Sequence, residues 1–217
     1  MYKYLLFDLD GTLTDSQEGI TKSVSYALIN LGVEDLPEDT KLRFIGPPLK
    51  DSFREYCGFD EETIKKAIAL YRERYSKVGK FENRPYEGIP ELLKKLKDDN
   101  RVLVIASSKP TGFVEDILNK FDLRQYFDII SAADLSGKKC EKEDVIKEAL
   151  EILNLKTGDK DVVMIGDRHY DINGAKYFNL DSIGVNYGFA FDKNELKDAG
   201  ATYVVETVKE LGELLLS

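Results

Sequence analysis

Short apolar runs alternate with stretches of helical periodicity along most of the chain. The apolar runs have the length of buried strands, and apolar residues recur every three or four positions in the stretches between them. Because this alternation is typical of a parallel sheet with helices on both faces, we predict an α/β fold with a Rossmann-like parallel sheet. The predicted strands are residues 2–8, 101–107, 127–132, 161–167, 181–186 and 201–205, and the predicted helices include residues 111–121, 143–155, 171–178 and 208–216.

One long segment directly after the first predicted strand breaks the alternation. Residues 17–82 contain stretches of helical period only, such as residues 20–31, whose apolar stripe ends before Gly32. A helical insert of this size within an α/β pattern predicts a second domain. We expect an all-helical domain at residues 15–82, inserted into an α/β core formed by residues 1–14 and 83–217.

Composition and charge exclude several classes of protein. The 217-residue chain is 42% hydrophobic and 33% charged, as is usual for a globular protein that buries a core. With 31 Lys and Arg against 40 Asp and Glu, the net charge of -9 disfavours nonspecific binding to a nucleic-acid polymer or an anionic membrane. The two cysteines have no metal-type spacing, and the N-terminal apolar run is too short for a signal peptide or a membrane span. We expect a cytoplasmic protein.

Polar side chains follow three of the predicted strands. Each of these residues alone is well explained as a helix cap or part of a turn. The carboxyl ends of parallel strands, however, meet at one edge of the sheet, where open α/β proteins bind ligands. The pattern as a whole therefore predicts one binding crevice. Its residues are Asp8, Asp10, Gly11 and Thr12 at or after the end of the first strand, Ser107, Ser108 and Lys109 at or after the end of the second, and Asp167 and Asp171 at or after the end of the fourth.

The acids of this predicted crevice require a cation. Asp8, Asp10 and Asp167 would repel one another, and at least one of them would take up a proton unless a cation lay among them. Mg²⁺ prefers oxygen ligands and is often held by a few carboxylates together with the phosphate oxygens of a substrate. Zinc is less suited to a set of carboxylates. We therefore predict an Mg²⁺ site that binds a phosphate group.

The same residues carry a resemblance to a known family. DLDGTLTDS (8–16), the strand ending in Ser107, a lysine ahead of a helix, and GDRHYD (166–171) resemble the four motifs of the haloacid dehalogenase superfamily of aspartate-nucleophile phosphohydrolases. The helical insert after the first motif resembles the type-one cap of that superfamily. Three stretches resemble its phosphoglycolate-phosphatase-like branch, especially bacterial 5′-nucleotidases: SSKP (107–110), FIGPPLKDSF (44–53) and GDRHYD (166–171).

The resemblance implies a role for each matching residue. Asp8 would attack phosphorus and form an aspartyl-phosphate, and Asp10 would protonate the leaving group and then activate water. Mg²⁺ would be held by the Asp8 side chain, the Asp10 main-chain carbonyl and Asp167. Ser107 and nearby backbone N–H groups would bind the phosphoryl oxygens. Further contacts to phosphate or substrate are expected from Gly11, Thr12, Ser108, Lys109, Arg43, Gly46 and Arg168.

The identity of the catalytic lysine stays open between three residues. Lys138, Lys139 and Lys142 all lie in the run KKCEKED ahead of a predicted helix. Lys142 stands directly before that helix, so we prefer it, although the whole run is also explained as a solvated face. Asp171 would orient this lysine or support the metal through one of its ligands.

The helical insert is the expected source of substrate selectivity. Gly46-Pro47-Pro48 cannot propagate a helix, and a stiff loop here would suit a segment that closes over a substrate. The loop residues that we expect to cover the leaving group are Arg43, Phe44, Ile45, Gly46 and Leu49.

Four functions compete at this point. The first is hydrolysis of a small phosphate monoester, most simply a nucleoside monophosphate or phosphoglycolate. A phosphosugar mutase would use the same acids but would need a second phosphate site, which no motif indicates. A phospho-aspartate regulatory module would not need the large helical insert, and a dehalogenase would not need Asp10. The sequence leaves the natural substrate and the oligomeric state open.

Overall fold

The computed structural model describes residues 2–135 and 139–217, so Lys138 lies outside the described residues. The chain divides into two compact units. The α/β unit comprises the residues up to Thr14 together with Pro85–Ser217, and the helical unit comprises Asp15–Arg84. The second boundary therefore lies two residues beyond the position expected from the sequence.

Strands and helices alternate along the chain within the α/β unit. The strands are β1 (Tyr4–Phe7), β2 (Thr14–Asp15), β3 (Arg84–Pro85), β4 (Val102–Pro110), β5 (Ile129–Ala133), β6 (Val162–Gly166), β7 (Asp181–Val185) and β8 (Tyr203–Val205). The α-helices are α1 (Gln17–Asn30), α2 (Glu38–Leu42), α3 (Leu49–Cys57), α4 (Glu61–Tyr75), α5 (Ile89–Asp98), α6 (Thr111–Lys120), α7 (Lys142–Leu153), α8 (His169–Tyr177), α9 (Glu195–Asp198) and α10 (Val208–Leu216). Two 3₁₀ turns lie at Gly79–Phe81 and Arg124–Tyr126.

Six of the strands form one parallel sheet with the order β5-β4-β1-β6-β7-β8. The central strand β1 pairs with β4 and β6, and Phe7 lies opposite Ile105 on one side and Ile165 on the other. Because β4, β1 and β6 are neighbours in the sheet, the residues that follow their carboxyl ends lie at one edge. The α/β fold with a Rossmann-like parallel sheet is confirmed.

Apolar residues cover both faces of this sheet. Alternate residues of β1 point to opposite faces, so Leu5 and Phe7 belong to one core cluster and Leu6 to another. The first cluster includes side chains of α5, α6 and α10, and the second includes side chains of α7 and α8. Because both faces of the sheet are covered, its strands are apolar at nearly every position.

The helical unit is organised around the packing of α1 against α4. Val24 and Leu28 of α1 are buried, as are Ile64 and Ala67 of α4. The apolar stripe of residues 20–31 thus forms part of the core of this unit. No helix in the described part of the chain is both long and apolar enough to cross a membrane.

The segment around Phe44 differs from the expected substrate loop. Leu49 is the first residue of α3 rather than part of a loop. The Phe44 side chain is only 2% exposed, and its ring centroid lies 5.1 Å from that of Phe53 and 5.7 Å from that of Tyr56. The expectation that Phe44 covers a leaving group is wrong, because its ring takes part in the internal packing of the helical unit.

Candidate active site

The loop after β1 places two acids in a tight turn. Asp8 directly follows β1, and both Asp8 and Asp10 are buried. Gly11 has φ +79 and its N–H donates to the Thr14 carbonyl over 2.8 Å. A Cβ atom at Gly11 would lie 2.0 Å from Oδ2 of Asp167, so a glycine is required for this loop to approach the end of β6.

Three carboxylates converge beside this loop. Asp8, Asp167 and Asp171 each offer an oxygen, and these oxygens lie within 4.8 Å of one another. Asp167 follows β6, and Asp171 lies in the first turn of α8, where its Oδ2 accepts the Arg168 N–H over 3.1 Å. All three side chains are buried, so the acids predicted to meet from separate motifs lie together.

Lys142 is the lysine that reaches these acids. Its Nζ lies 2.9 Å from Oδ1 of Asp8 and 2.7 Å from Oδ1 of Asp171, and it donates to the Ala106 carbonyl over 3.0 Å. Burial favours a lower pKa for Lys142, but Asp171 and Asp8 more than offset this and raise its pKa above the ordinary value. Lys139 instead pairs with Glu148 at 2.7 Å.

Asp10 has a different cationic partner. Its Oδ2 lies 2.5 Å from Nζ of Lys109, and both side chains are buried. The Lys109 N–H donates to Oγ of Ser107 over 3.3 Å, which ties the end of β4 to the same place. The predicted residues Ser107, Lys109 and Asp10 are thus brought together, with Ser108 half-buried beside them and Thr12 fully buried.

The Asp167 carboxylate has one satisfied and one unsatisfied oxygen. Its Oδ2 accepts the Phe189 N–H over 2.7 Å. Oδ1 is buried and has no hydrogen-bond partner among residues 2–135 and 139–217. Burial, and then the charges of Asp171 and Asp8, raise the pKa of Asp167 well above its usual range.

These residues fit a divalent cation of the Mg²⁺ type. The donor atoms are carboxylate oxygens, which Mg²⁺ prefers, and the unsatisfied Oδ1 of Asp167 is available as a ligand. A cation at this place would also offset the repulsion that raises the pKa of Asp167. Oδ2 of Asp10 pairs with Lys109, and the metal contact expected from Asp10 is through its main-chain carbonyl.

Arg168 does not have the surroundings expected of a substrate contact. It is 1% exposed, its Nε donates to Oε1 of Glu195 over 2.9 Å, and its guanidinium carbon lies 3.7 Å from the ring centroid of Phe191. These contacts give Arg168 partners within its own chain, and its contact with a substrate stays a prediction. His169 also meets Glu195, with Nδ1 2.8 Å from Oε1.

The two predicted substrate residues of the helical unit lie near each other along the chain. Arg43 is exposed and follows the last residue of α2, and Gly46 has φ +105 in the connection to α3. A positive φ of this size favours glycine at that position. Their contact with a substrate stays a prediction.

The segment that follows β7 also belongs to the site, and no residue of it was predicted from the sequence. The Tyr187 hydroxyl donates to the Thr12 carbonyl over 3.0 Å, and Phe189 donates to Asp167. The signal was present: NYGF (186–189) follows a strand that neighbours β6, and the rule that selected Asp167 applies equally to it. Glu195, by contrast, had no sequence signal, because Arg168 and His169 lie 27 and 26 residues before it in the chain.

Comparison with known proteins identifies the family. The model of the haloacid dehalogenase-like hydrolases matches residues 5–185, which is most of the chain. The chain belongs to this family. It is 40% identical over its full length to a 5′-nucleotidase of Pseudomonas aeruginosa, of which the match covers 96%.

Other relatives of this hydrolase carry different names. The tyrosine-protein kinase PtkA of Mycobacterium tuberculosis is 35% identical over 97% of this chain and 72% of its own. A phosphoglycolate phosphatase of Colwellia psychrerythraea is 29% identical over 95% of this chain and 94% of its own. The crystal structure of a predicted phosphatase from Clostridium acetobutylicum superposes with a TM-score of 0.94 and 52% identity, covering 100% of this chain and 99% of that one. The predicted family and the predicted enzyme class, a hydrolase of the phosphatase type, are confirmed.

Proposed function

We propose that this hydrolase cleaves a small phosphate monoester in the cytoplasm, with Mg²⁺ as cofactor and an aspartyl-phosphate at Asp8 as intermediate. One observation carries the proposal most directly. Asp8 is a buried carboxylate that lies 2.9 Å from the ammonium of Lys142 and within reach of Asp167 and Asp171. Such a site offers a nucleophile and the means to neutralise a phosphoryl group at the same place.

The Asp8 carboxylate performs both covalent steps. In the first, one of its oxygens attacks phosphorus, and the bond from phosphorus to the leaving oxygen breaks. In the second, water attacks the phosphorus of the aspartyl-phosphate, which releases inorganic phosphate and restores the carboxylate. Lys142, held by Asp171, offsets the negative charge of the transferring group.

Asp10 moves the protons in this scheme. It donates a proton to the leaving oxygen in the first step and accepts one from the attacking water in the second. Lys109 and Ser107 meet beside it, so the phosphoryl group would be bound next to the proton donor. Backbone N–H groups around Ser108 and Thr12 are the further candidates to bind its oxygens.

Asp8, Asp167 and the main-chain carbonyl of Asp10 would hold Mg²⁺, with Asp171 supporting the arrangement through Lys142. Bound there, the ion supplies charge neutralisation and alignment of the phosphoryl group. The buried Oδ1 of Asp167 without a hydrogen-bond partner among the described residues supports this assignment.

A nucleoside 5′-monophosphate is the first substrate that we propose, and phosphoglycolate is the second. The relative with 40% identity is named a 5′-nucleotidase, whereas the named phosphoglycolate phosphatase is 29% identical. Purified protein with Mg²⁺ should release phosphate from nucleoside monophosphates with a higher kcat/KM than from phosphoglycolate, sugar phosphates or phosphotyrosine. Equal and very low turnover of every member of this panel would contradict the proposed substrate class.

The nucleophile is tested by a matched pair of variants. Asp8→Asn should abolish both phosphate release and the acid-stable phosphoprotein mass, because an amide is not a competent nucleophile. Asp10→Asn should slow release by about 10²–10⁴-fold, and less for p-nitrophenyl phosphate, whose leaving group needs no proton. Substantial turnover by Asp8→Asn would overturn the mechanism, and a single stoichiometric phosphorylation without turnover would indicate a regulatory module.

A further inference from the structure

The segment 187–191, which follows β7, lies against both acid motifs. The Tyr187 hydroxyl donates to the Thr12 carbonyl over 3.0 Å, and the Phe189 N–H donates to Oδ2 of Asp167 over 2.7 Å. Between them, a Cβ atom at Gly188 would lie 2.3 Å from the Gly11 carbonyl oxygen and 2.4 Å from Cβ of Asp167. The backbone of this segment therefore packs directly on the loop after β1 and on Asp167.

Glu195, the first residue of α9, ties the far end of this segment to the chain beyond Asp167. Its Oε2 accepts the Phe191 N–H over 2.6 Å. Its Oε1 accepts the His169 N–H over 2.9 Å and Nε of Arg168 over 2.9 Å. Arg168 and His169 follow Asp167 immediately, so one carboxylate joins the two stretches of backbone that flank the Asp167 side chain.

The charge of Glu195 suits this role. Burial alone would raise the pKa of Glu195, but the bonds from His169 and Phe191, together with the charge of Arg168, lower it to about 2. The group is therefore ionised at neutral pH, and hydrogen bonds to a charged acceptor are stronger than those to a neutral one. The guanidinium of Arg168, stacked on Phe191, adds a second link within the same cluster.

We propose that Glu195 is a positioning residue of the metal site, which holds segment 187–191 so that Phe189 binds Oδ2 of Asp167 and leaves Oδ1 available to Mg²⁺. The inference rests on the proposed Mg²⁺ dependence. Glu195 itself ligates nothing in this scheme, and it acts through Phe191 and the backbone. Groups that orient a metal ligand typically affect metal affinity by about 10–100-fold.

The test is the Mg²⁺ affinity of the whole protein, measured by isothermal titration calorimetry. Glu195→Gln keeps the shape but can accept at only one of the two oxygens, and Glu195→Ala removes both. We expect Mg²⁺ to bind about 10-fold more weakly to Glu195→Gln, and more weakly still to Glu195→Ala. Glu213→Gln is the matched control, since Glu213 is an exposed residue of α10 whose partner is Lys209 at 3.6 Å.

The outcomes separate the inference from the proposed function. If Glu195 only stabilises the fold, the variants will melt at lower temperature while their Mg²⁺ dissociation constants equal that of the unsubstituted protein, and the inference is overturned. If the unsubstituted protein itself binds no Mg²⁺, the proposed cofactor is wrong. The two results are distinguishable, because the first is a comparison of the Glu195 variants with the unsubstituted protein and the second concerns the unsubstituted protein alone.

A second measurement decides the matter if the variants do not fold. By thermodynamic linkage, a segment that supports metal binding must itself be stabilised by the metal. Amide hydrogen exchange of Phe189 and Phe191, followed by NMR in the unsubstituted protein, should therefore slow when Mg²⁺ is added. Unchanged exchange at both amides on a metal-loaded protein would overturn the inference.

Discussion

The ammonium of Lys109 lies 2.5 Å from the carboxylate of Asp10, and neither side chain is more than 11% exposed. The two residues come from different strands, since Asp10 follows β1 and Lys109 lies near the end of β4. The pairing places a cation beside the proposed proton donor. It also gives the buried Asp10 side chain a partner, which a buried charge requires.

Removal of this cation should destabilise the protein strongly. Lys109→Met leaves the Asp10 carboxylate buried without its partner, and the expected loss in the free energy of unfolding is about 3–5 kcal/mol. Urea denaturation measures this loss. In the double variant Lys109→Met/Asp10→Asn the loss should be smaller than in Lys109→Met alone, because no buried charge is left behind. A double variant that is no more stable than Lys109→Met would contradict the pairing.

Lys142 and Lys139 should differ sharply in their effect on turnover. Lys142 contacts Asp8 and Asp171, whereas Lys139 pairs with Glu148, so Lys142→Ala should lower kcat by orders of magnitude and Lys139→Ala by less than about twofold. Steady-state phosphate release measures both, with circular dichroism to verify that each variant is folded. Equal small effects would move the catalytic charge to another cation.

Mg²⁺ should stabilise the protein more at alkaline than at acidic pH. Burial and the neighbouring acids raise the pKa of Asp167, and burial raises that of Asp171, although Lys142 opposes the change. In the folded metal-free protein these two acids therefore hold more protons than they would in the unfolded chain above about pH 4, and their contribution to stability falls as the pH rises. Mg²⁺ replaces those protons, and the gain in Tm should be larger by several degrees at about pH 8 than at about pH 5.

Differential scanning fluorimetry with EDTA or Mg²⁺ measures this gain at both pH values. Asp167→Asn is the informative control, since it removes a negative charge from the cluster and should reduce both the gain and its pH dependence. EDTA should also abolish turnover, and added Mg²⁺ should restore it. A pH-independent gain in Tm, or undiminished activity in chelator, would contradict the metal assignment.

Phe44→Ala should act on stability rather than on substrate choice. The ring packs against Phe53 and Tyr56 and is almost fully buried, so its removal should lower the free energy of unfolding by about 3–5 kcal/mol. Urea denaturation measures the loss, and kcat/KM across the substrate panel should keep its ranking. A folded variant with unchanged stability and a reordered panel would restore the leaving-group role first expected for Phe44.

The local pattern of the sequence was sufficient to predict the α/β fold. A strand that is apolar at nearly every position must be covered on both faces, and the helical stretches between the strands supply that cover. The pattern also located the ends of β1 and β6 to within one residue, whereas β4 extends to Pro110, three residues beyond the predicted end, so that Ser107 lies within the strand. The strand order β4-β1-β6 brings the carboxyl ends of these strands to one edge of the sheet. The alternation of strands and helices along the sequence does not give this order.

Pairwise contacts between distant segments were decided by the tertiary structure alone. Lys142 lies between Asp8 and Asp171, while Lys139 binds Glu148, although both lysines occur in the same charged run. Arg168 directly follows a proposed metal ligand, yet it is held by Glu195, 27 residues further along the chain. The physical reason is that ion pairs and backbone hydrogen bonds depend on distances of about 3 Å, which spacing in the sequence does not determine once the chain has folded back on itself.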